Sequence, residues 1–406
     1  MVRRNLWHAT IVELCFICFG IIFLSTATAQ VRDLQRLAAT SLGADQGVFV
    51  QAEDGTILVA QQESRPVHPA SVTKVATSLA LLEQLGHDYR FETQFLAGGP
   101  VISGTLKGNL VVHATGDPSV VFENAFLMLR ELHARGLREV RGDVRVEGPL
   151  IFNWKTDPMG QRLKRALQGL DGGEAWAATG GPSLPLKKAA LQFGAGGLQQ
   201  TSGKVLIENR SPPLIRIVKA LNGYSNNVFH LLSDRIGGPR AVEALMRKHL
   251  SPALQSEITI TNGAGAGESN RLSPRAAVAI LWELRKELRA HGKDLPSVLP
   301  VNGLDAGTLK KRLSEDPYRG RIAGKTGTFG SVGASALVGV LHTAKYGDVA
   351  FAVLNSWVAV PEARRRQDVF LRALIDATDA KPWDYVPNEN PIFTEATVKA
   401  SSDAIH

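Results

Sequence analysis

Cysteine is nearly absent from this chain of 406 residues: there are two, Cys15 and Cys18, and both fall in the first 29 positions. The rest of the chain can close no disulfide, so its stability has to come from apolar cores. A Cys-x-x-Cys pair can hold a metal, but the second pair that would support such a site is missing, and the histidines show no His-Glu-x-x-His spacing. No metal and no cofactor are expected. Long apolar runs are also missing beyond residue 29, which leaves no second transmembrane candidate. There is no internal repeat.

What is present has the composition of an ordinary globular protein, 44% apolar and 21% charged, and the length suggests two to three domains. Residues 1–29 stand apart. Arg3 and Arg4 precede the apolar run "IVELCFICFGIIFLS", and Ala27-Thr28-Ala29 follows it. This order of basic, apolar and small-residue segments predicts a secretory signal peptide cut between Ala29 and Gln30, with an uncleaved N-terminal anchor as the alternative. An exported protein, periplasmic or held at the cell envelope, is the expectation, with no firm membrane anchor once the signal is removed. The net charge of +8 becomes +7 without Arg3, Arg4 and Glu13. A basic exported chain suits anionic envelope polymers, and no nucleic-acid motif accompanies the charge.

Along the mature chain, "GVFVQAEDGTILVAQQES" predicts a hairpin around Asp54-Gly55. In the next stretch, "PVHPASVTKVATSLALLEQLG", apolar residues recur at helical spacing between Pro69 and Gly86. From Phe91 to Ile207 the texture changes to short alternating runs broken by Gly and Pro, with one helix candidate at 122–135; this reads as a β-rich insertion. Helical patterns return from Pro212. After them "GRIAGKTGTFG" leads into "ASALVGVL" and, across "HTAKYGD", into "VAFAVLNSW", a second hairpin pattern. A helix, "PEARRRQDVFLRALIDAT", closes the globular part. The boundaries read from this texture are 1–29 signal peptide, 30–90 with 208–380 a main domain, 91–207 the insertion, and 381–406 a polar, Pro-broken tail.

The chemistry starts at Ser71 and Lys74. Three residues apart on one helix they share a face, and a lysine on an apolar helix loses proton affinity and can serve as base to a serine nucleophile. One Ser-x-x-Lys is expected by chance in a chain of this size. Two further stretches give it meaning: "NGYSNN" supplies Ser225 and Asn227, and "GKTGT" supplies Lys325, Thr326, Gly327 and Thr328. Taken alone, Ser225 and Asn227 read as a turn or helix cap. Gly324-Lys325-Thr326 could end a phosphate loop, but the glycine that loop requires falls on Arg319, and the sequence that follows is turn and strand where the loop needs a helix. Asp117 in "TGDPS" reads as a turn former.

Ser-x-x-Lys, Ser-x-Asn and Lys-Thr-Gly in that order make the triple signature of penicillin-binding proteins and serine β-lactamases. Together with "GNLVVHATGDPSV", "NRSPPLIRIVKALNGYSNN", "NGAGAGESNRLSPRA" and "LPVNGLDAGTLKKRL", the chain from about Ala39 to Ala377 resembles the D-alanyl-D-alanine carboxypeptidases/endopeptidases of peptidase family S13, the class C low-molecular-mass penicillin-binding proteins. The resemblance implies an α/β fold of the α+β type: a penicillin-binding-protein/β-lactamase-like domain with an antiparallel five-stranded sheet and helices, plus an inserted β-rich domain. Ser71 and Ser225 are 154 positions apart, which is short for the family and implies that one inserted subdomain is missing.

It also implies a serine DD-peptidase of peptidoglycan stem peptides, acylated by β-lactams. Ser71 would be nucleophile, Lys74 its base, and Ser225 and Lys325 the proton path to the leaving amine. Asn227 would bond the substrate amide; Thr326, Thr328 and Lys325 would suit the terminal carboxylate; the backbone N–H groups of Ser71 and Thr328 would form the oxyanion hole; Gly327 would leave room for substrate along the strand. Where the family carries a basic residue after the "NGAG" glycines this chain has Glu268, and Gly330 offers no side chain; Glu147 keeps an acid on the insertion. A serine β-lactamase and an inactive envelope-binding module of the same fold are the alternatives.

Overall fold

The structure, a computed structural model, describes residues 31–179, 184–194 and 203–401. The proposed signal lies outside them. Among the described residues no helix is long and apolar enough to cross a membrane. The chain forms two compact units, one of residues up to Ala76 with Glu243–Thr261 and Gly265–Val386, the other of Thr77–Val242, Asn262–Ala264 and the residues from Pro387 onward.

The first unit is built on a sheet drawn from both ends of the chain. Strands β1 (Gly47–Ala52) and β2 (Ile57–Gln61) form the hairpin around Asp54-Gly55, and β3 (Ile322–Phe329), β4 (Ala334–Thr343) and β5 (Gly347–Asn355) complete the order β3-β4-β5-β1-β2, antiparallel throughout. The short Ala380–Lys381 strand pairs with the far end of β4. In β1, Val48, Val50 and Ala52 join one apolar core with Leu34, Ala38 and Leu42 of helical residues 31–42 and with Phe370, Leu371 and Leu374 of the closing helix, Val360–Thr378. Alternation turns Gly47 and Phe49 to the opposite face. There Gly47 meets Pro274, the first residue of helix Pro274–Ala290, so closely that an added Cβ would come within 2.8 Å of its ring. Helices thus cover both faces, which is why β4 and β5 read as nearly unbroken apolar runs.

The second unit holds a five-stranded sheet in the order Thr397–Ala400, Lys204–Arg210, Glu92–Ala97, Leu110–Ala114, Val144–Glu147. Its last pair is parallel and the others antiparallel. Helix Phe122–Ala134 lays Phe126, Met128, Leu129 and Leu132 into a core with Phe95, Val112 and Ile207. Two features differ from the sequence reading. The insertion also contains the short helices Gln161–Leu167, Gly173–Ala178 and Leu186–Ala189, and the segment read as a polar tail supplies an edge strand. Four residues, Thr397 to Ala400, are too few for a periodic signal, and their partner strand lies almost two hundred positions earlier.

Candidate active site

Ser71 lies on a short 3-10 turn, Ala70–Val72, that runs straight into helix α1, Thr73–Leu85. The turn is held in place from several sides. Ala70 has left-handed backbone, with φ of 47°, an uncommon conformation for a residue with a Cβ. Its N–H donates to His68 Nδ1 at 3.1 Å, and its carbonyl accepts from Thr73 Oγ1 at 2.9 Å. Since Nδ1 accepts, the His68 proton sits on Nε2, which donates to the Gly267 carbonyl at 2.9 Å. The His68 ring stacks on Phe329 with centroids 4.2 Å apart, and its burial lowers its pKa. His68 was quoted in the motif but given no role there; no spacing rule marks it.

One turn of helix brings Lys74 back onto Ser71. Its Nζ lies 2.7 Å from Ser71 Oγ, and the side chain is fully buried. Burial pulls the amine down to about 7. Lys325, on β3, is equally buried and donates to the Thr326 carbonyl at 2.7 Å. Burial holds its pKa well below the ordinary lysine value, and the charge of Lys74 adds to the effect. Burial thus dominates for both lysines, and the charge of one bears on the other only at Lys325.

The edge strand β3 carries the rest of this cluster. The segment 300–302 covers its first half, through the Val301–Ala323 bridge and the bond from Gly324 N to Pro300 O at 3.0 Å. Beyond it, Thr326 Oγ1 donates to Thr308 Oγ1 at 2.7 Å, and Thr328 Oγ1 accepts from Arg364 at 3.0 Å. Thr308 lies in "LPVNGLDAGTLKKRL", where nothing local distinguishes it. Arg364 was missed altogether, because a surface arginine on an Arg-rich helix carries no local signal. Gly327 packs against the Ser71 turn: a Cβ there would lie 2.7 Å from Pro69 O and 3.1 Å from Ser71 N. Only glycine lets β3 and the Ser71 turn approach this closely.

Ser225 and Asn227 belong to the second unit. Ser225 is the C-cap of helix Leu214–Tyr224 with left-handed backbone, φ 57°, and the turn closes with Asn226 N to Leu221 O at 3.0 Å and His230 N to Asn227 O at 3.0 Å. A serine accepts that conformation less readily than glycine or asparagine does, so strain is stored at the motif. One turn earlier, and within the same unit, Asn222 Nδ2 donates to Ser78 Oγ at 3.0 Å. Glu147 ends the strand Val144–Glu147 and is exposed. Asp117 is buried and accepts from Ser119 N and Oγ at 2.8 and 2.6 Å, the turn-forming role expected of it, and burial raises its carboxyl to about 6.

Comparison with known proteins gives the geometry a context. A family profile described as the D-Ala-D-Ala carboxypeptidase 3 (S13) family matches residues 30–155 and 194–374. The carboxypeptidase DacB of Mycolicibacterium smegmatis is 27% identical over 388 residues, covering 83% of this chain and 82% of that one. A D-alanyl-D-alanine carboxypeptidase DacB of Haemophilus influenzae is 37% identical over 75 residues, a match that spans 18% of this chain and 16% of that protein. Among solved structures, a penicillin G-acylated predatory endopeptidase of Bdellovibrio bacteriovorus superposes with a TM-score of 0.72 at 20% identity, covering 88% of this chain and 99% of its own; at that identity the likeness concerns the fold.

Proposed function

The chain belongs to the D-Ala-D-Ala carboxypeptidase 3 (S13) family; it is a serine DD-peptidase of that family, and we propose that its acyl-enzyme forms on Ser71. The observation that carries this reading is the 2.7 Å contact between Ser71 Oγ and a buried lysine amine whose pKa falls to about 7. At neutral pH much of Lys74 is neutral, so it can take the Ser71 proton as Oγ attacks the carbonyl of the penultimate D-Ala. The developing oxyanion is met by the N–H groups of Ser71 and Thr328. Ser225 and Lys325 pass the proton to the departing D-Ala amine, and water then hydrolyses the ester to free Ser71.

Asn227 bonds the substrate amide. Thr326 and Thr328 hold the terminal carboxylate, helped by the Lys325 side and by Arg364, a permanent cation already bonded to Thr328 Oγ1 at 3.0 Å. Gly327 admits the Ser71 turn against β3, and Glu147 is kept as an acidic contact to the third stem residue. In this reading residues 1–29 export the protein to the periplasm or envelope, 30–90 and 208–380 form the peptidase domain, 91–207 the inserted domain and 381–406 the tail. Peptidoglycan stem peptides are the substrates and β-lactams the covalent inhibitors; stem cross-links ending on D-Ala are substrates of the same chemistry.

The test compares a D-Ala-D-Ala pentapeptide with penicillin on one preparation. The interval between Lys74 and Ser225 offers no glutamate and asparagine spaced to activate water against a penicilloyl ester, so the adduct should last minutes or longer while the peptide turns over. Fast penicillin hydrolysis with no peptide release would make the protein a β-lactamase, and neither reaction would make it an inactive binding module.

A further inference from the structure

A groove of about 320 Å³ opens in the first unit beyond the Ser71 turn. His68 and Val332 lie in its wall, Arg65 and Arg271 bring positive charge, and Asp45 and Glu268 bring negative charge. Arg271 donates to the Glu268 and Asn270 carbonyls at 2.7 and 2.8 Å, and Arg65 donates to the Asp45 carbonyl. At the groove's edge stands Trp357, 83% exposed. Its backbone is left-handed, φ 60°, a costly conformation for a bulky residue. The backbone is nevertheless fixed: Trp357 N donates to Val332 O and Val358 N to Gly333 O, each at 3.4 Å, and Gly333 packs so closely that an added Cβ would lie 3.1 Å from Trp357 Cα. The result is an indole presented to solvent on a rigid turn, beside mixed-charge polar groups, an arrangement that apolar burial does not explain.

We propose that this groove is a saccharide subsite, in which the indole face takes the apolar face of an N-acetylhexosamine of the glycan strand while the carboxylates and guanidinium groups bond its hydroxyl and acetamido groups. The proposal rests on the DD-peptidase reading for its substrate. With the terminal carboxylate near Thr326, the stem must leave the reacting carbonyl in the direction of Phe329 and Val332. Four residues separate that carbonyl from the sugar, a reach of about 14 Å when extended. On the protein, β3 ends at Phe329 and the 3-10 turn Gly330–Val332 follows, ending on the residue bonded to Trp357. The platform thus stands just past the end of the strand along which the stem would run.

Two measurements on the mature protein test this. The first is titration of the peptide-free disaccharide N-acetylglucosaminyl-N-acetylmuramic acid, which should bind the native protein and lose about tenfold in affinity in Trp357→Ala, with partial recovery in Trp357→Tyr. The second compares KM for a free pentapeptide and for the same peptide on the disaccharide. The native protein should favour the glycosylated substrate by about tenfold, and Trp357→Ala should erase the preference while leaving the free peptide, which ends short of the indole, unaffected. Equal KM values in the native protein, or equal losses on both substrates in the variant, would overturn the subsite. Failure of the native protein to cleave either substrate would strike the peptidase reading alone, and the disaccharide titration would still decide the subsite.

Discussion

In the proposed mechanism Lys74 is the residue on which the chemistry turns. An exposed lysine at neutral pH is almost wholly protonated and is no base; burial lowers this one to about 7. Acylation by penicillin should therefore rise with pH through the region of 7 and then level off, since the reactive form is the neutral amine and its fraction grows as pH passes the pKa. Stopped-flow or quench measurement of the acylation rate from pH 5.5 to 9 checks this. Lys74→Arg should lose at least about a thousandfold in rate with no recovery at high pH, because guanidinium keeps its proton. A flat profile in the native protein, or normal turnover by the arginine variant, would remove Lys74 from the base role. Burial raises the cost of charge on either amine, so Lys325 and Lys74 are poorly suited to being protonated together.

At the scale of elements, the site depends on how closely an edge strand can approach a helix start. Gly327 sets that separation, since a Cβ would press on Pro69 O at 2.7 Å and on Ser71 N at 3.1 Å. Backbone is on the receiving side, so no rotamer change can relieve the contact. Gly327→Ala should lower the penicillin acylation rate by about a hundredfold, as expected when a nucleophile is displaced by about an ångström, and should cost about 1–3 kcal/mol of stability for the overpacking. Acylation kinetics and thermal melting read the two effects; a variant with native kinetics would mean that β3 and the Ser71 turn have more freedom than their packing indicates. The sheet itself was legible because β1-β2 and β4-β5 are hairpins with local turns, and so were the long helices with clear periodicity. The three short helices of the insertion and the strand Thr397–Ala400 were not: each is shorter than the window over which a period can be recognised, and the strand exists only through a partner far away in sequence.

For the whole molecule, the ordered motifs carried most of what could be known beforehand. Ser71, Lys74 and Lys325 stand out in the sequence because acyl transfer calls for those residue types at fixed spacings; in the structure Lys74 Nζ contacts Ser71 Oγ and the charge of Lys74 bears on the buried Lys325. His68, Thr308, Arg364 and Trp357 were not readable, because their importance comes from the third dimension: a ring stacked on Phe329, a hydroxyl beside Thr326, a cation beside Thr328, an indole held on a strained turn. None of these has a local sequence signature. The division into two units, each with its own sheet and apolar core, follows the same rule, since segments distant in the chain complete both sheets.

The central claim is that one serine, Ser71, forms the covalent intermediate. Intact-mass spectrometry after incubation with benzylpenicillin, followed by peptide mapping, tests it most directly. The account requires a single adduct of the full mass of the drug, located on the peptide containing Ser71, and its complete loss in a folded Ser71→Ala variant together with loss of D-Ala release. An adduct on any other residue, or a Ser71→Ala protein still acylated at the native rate, would contradict it.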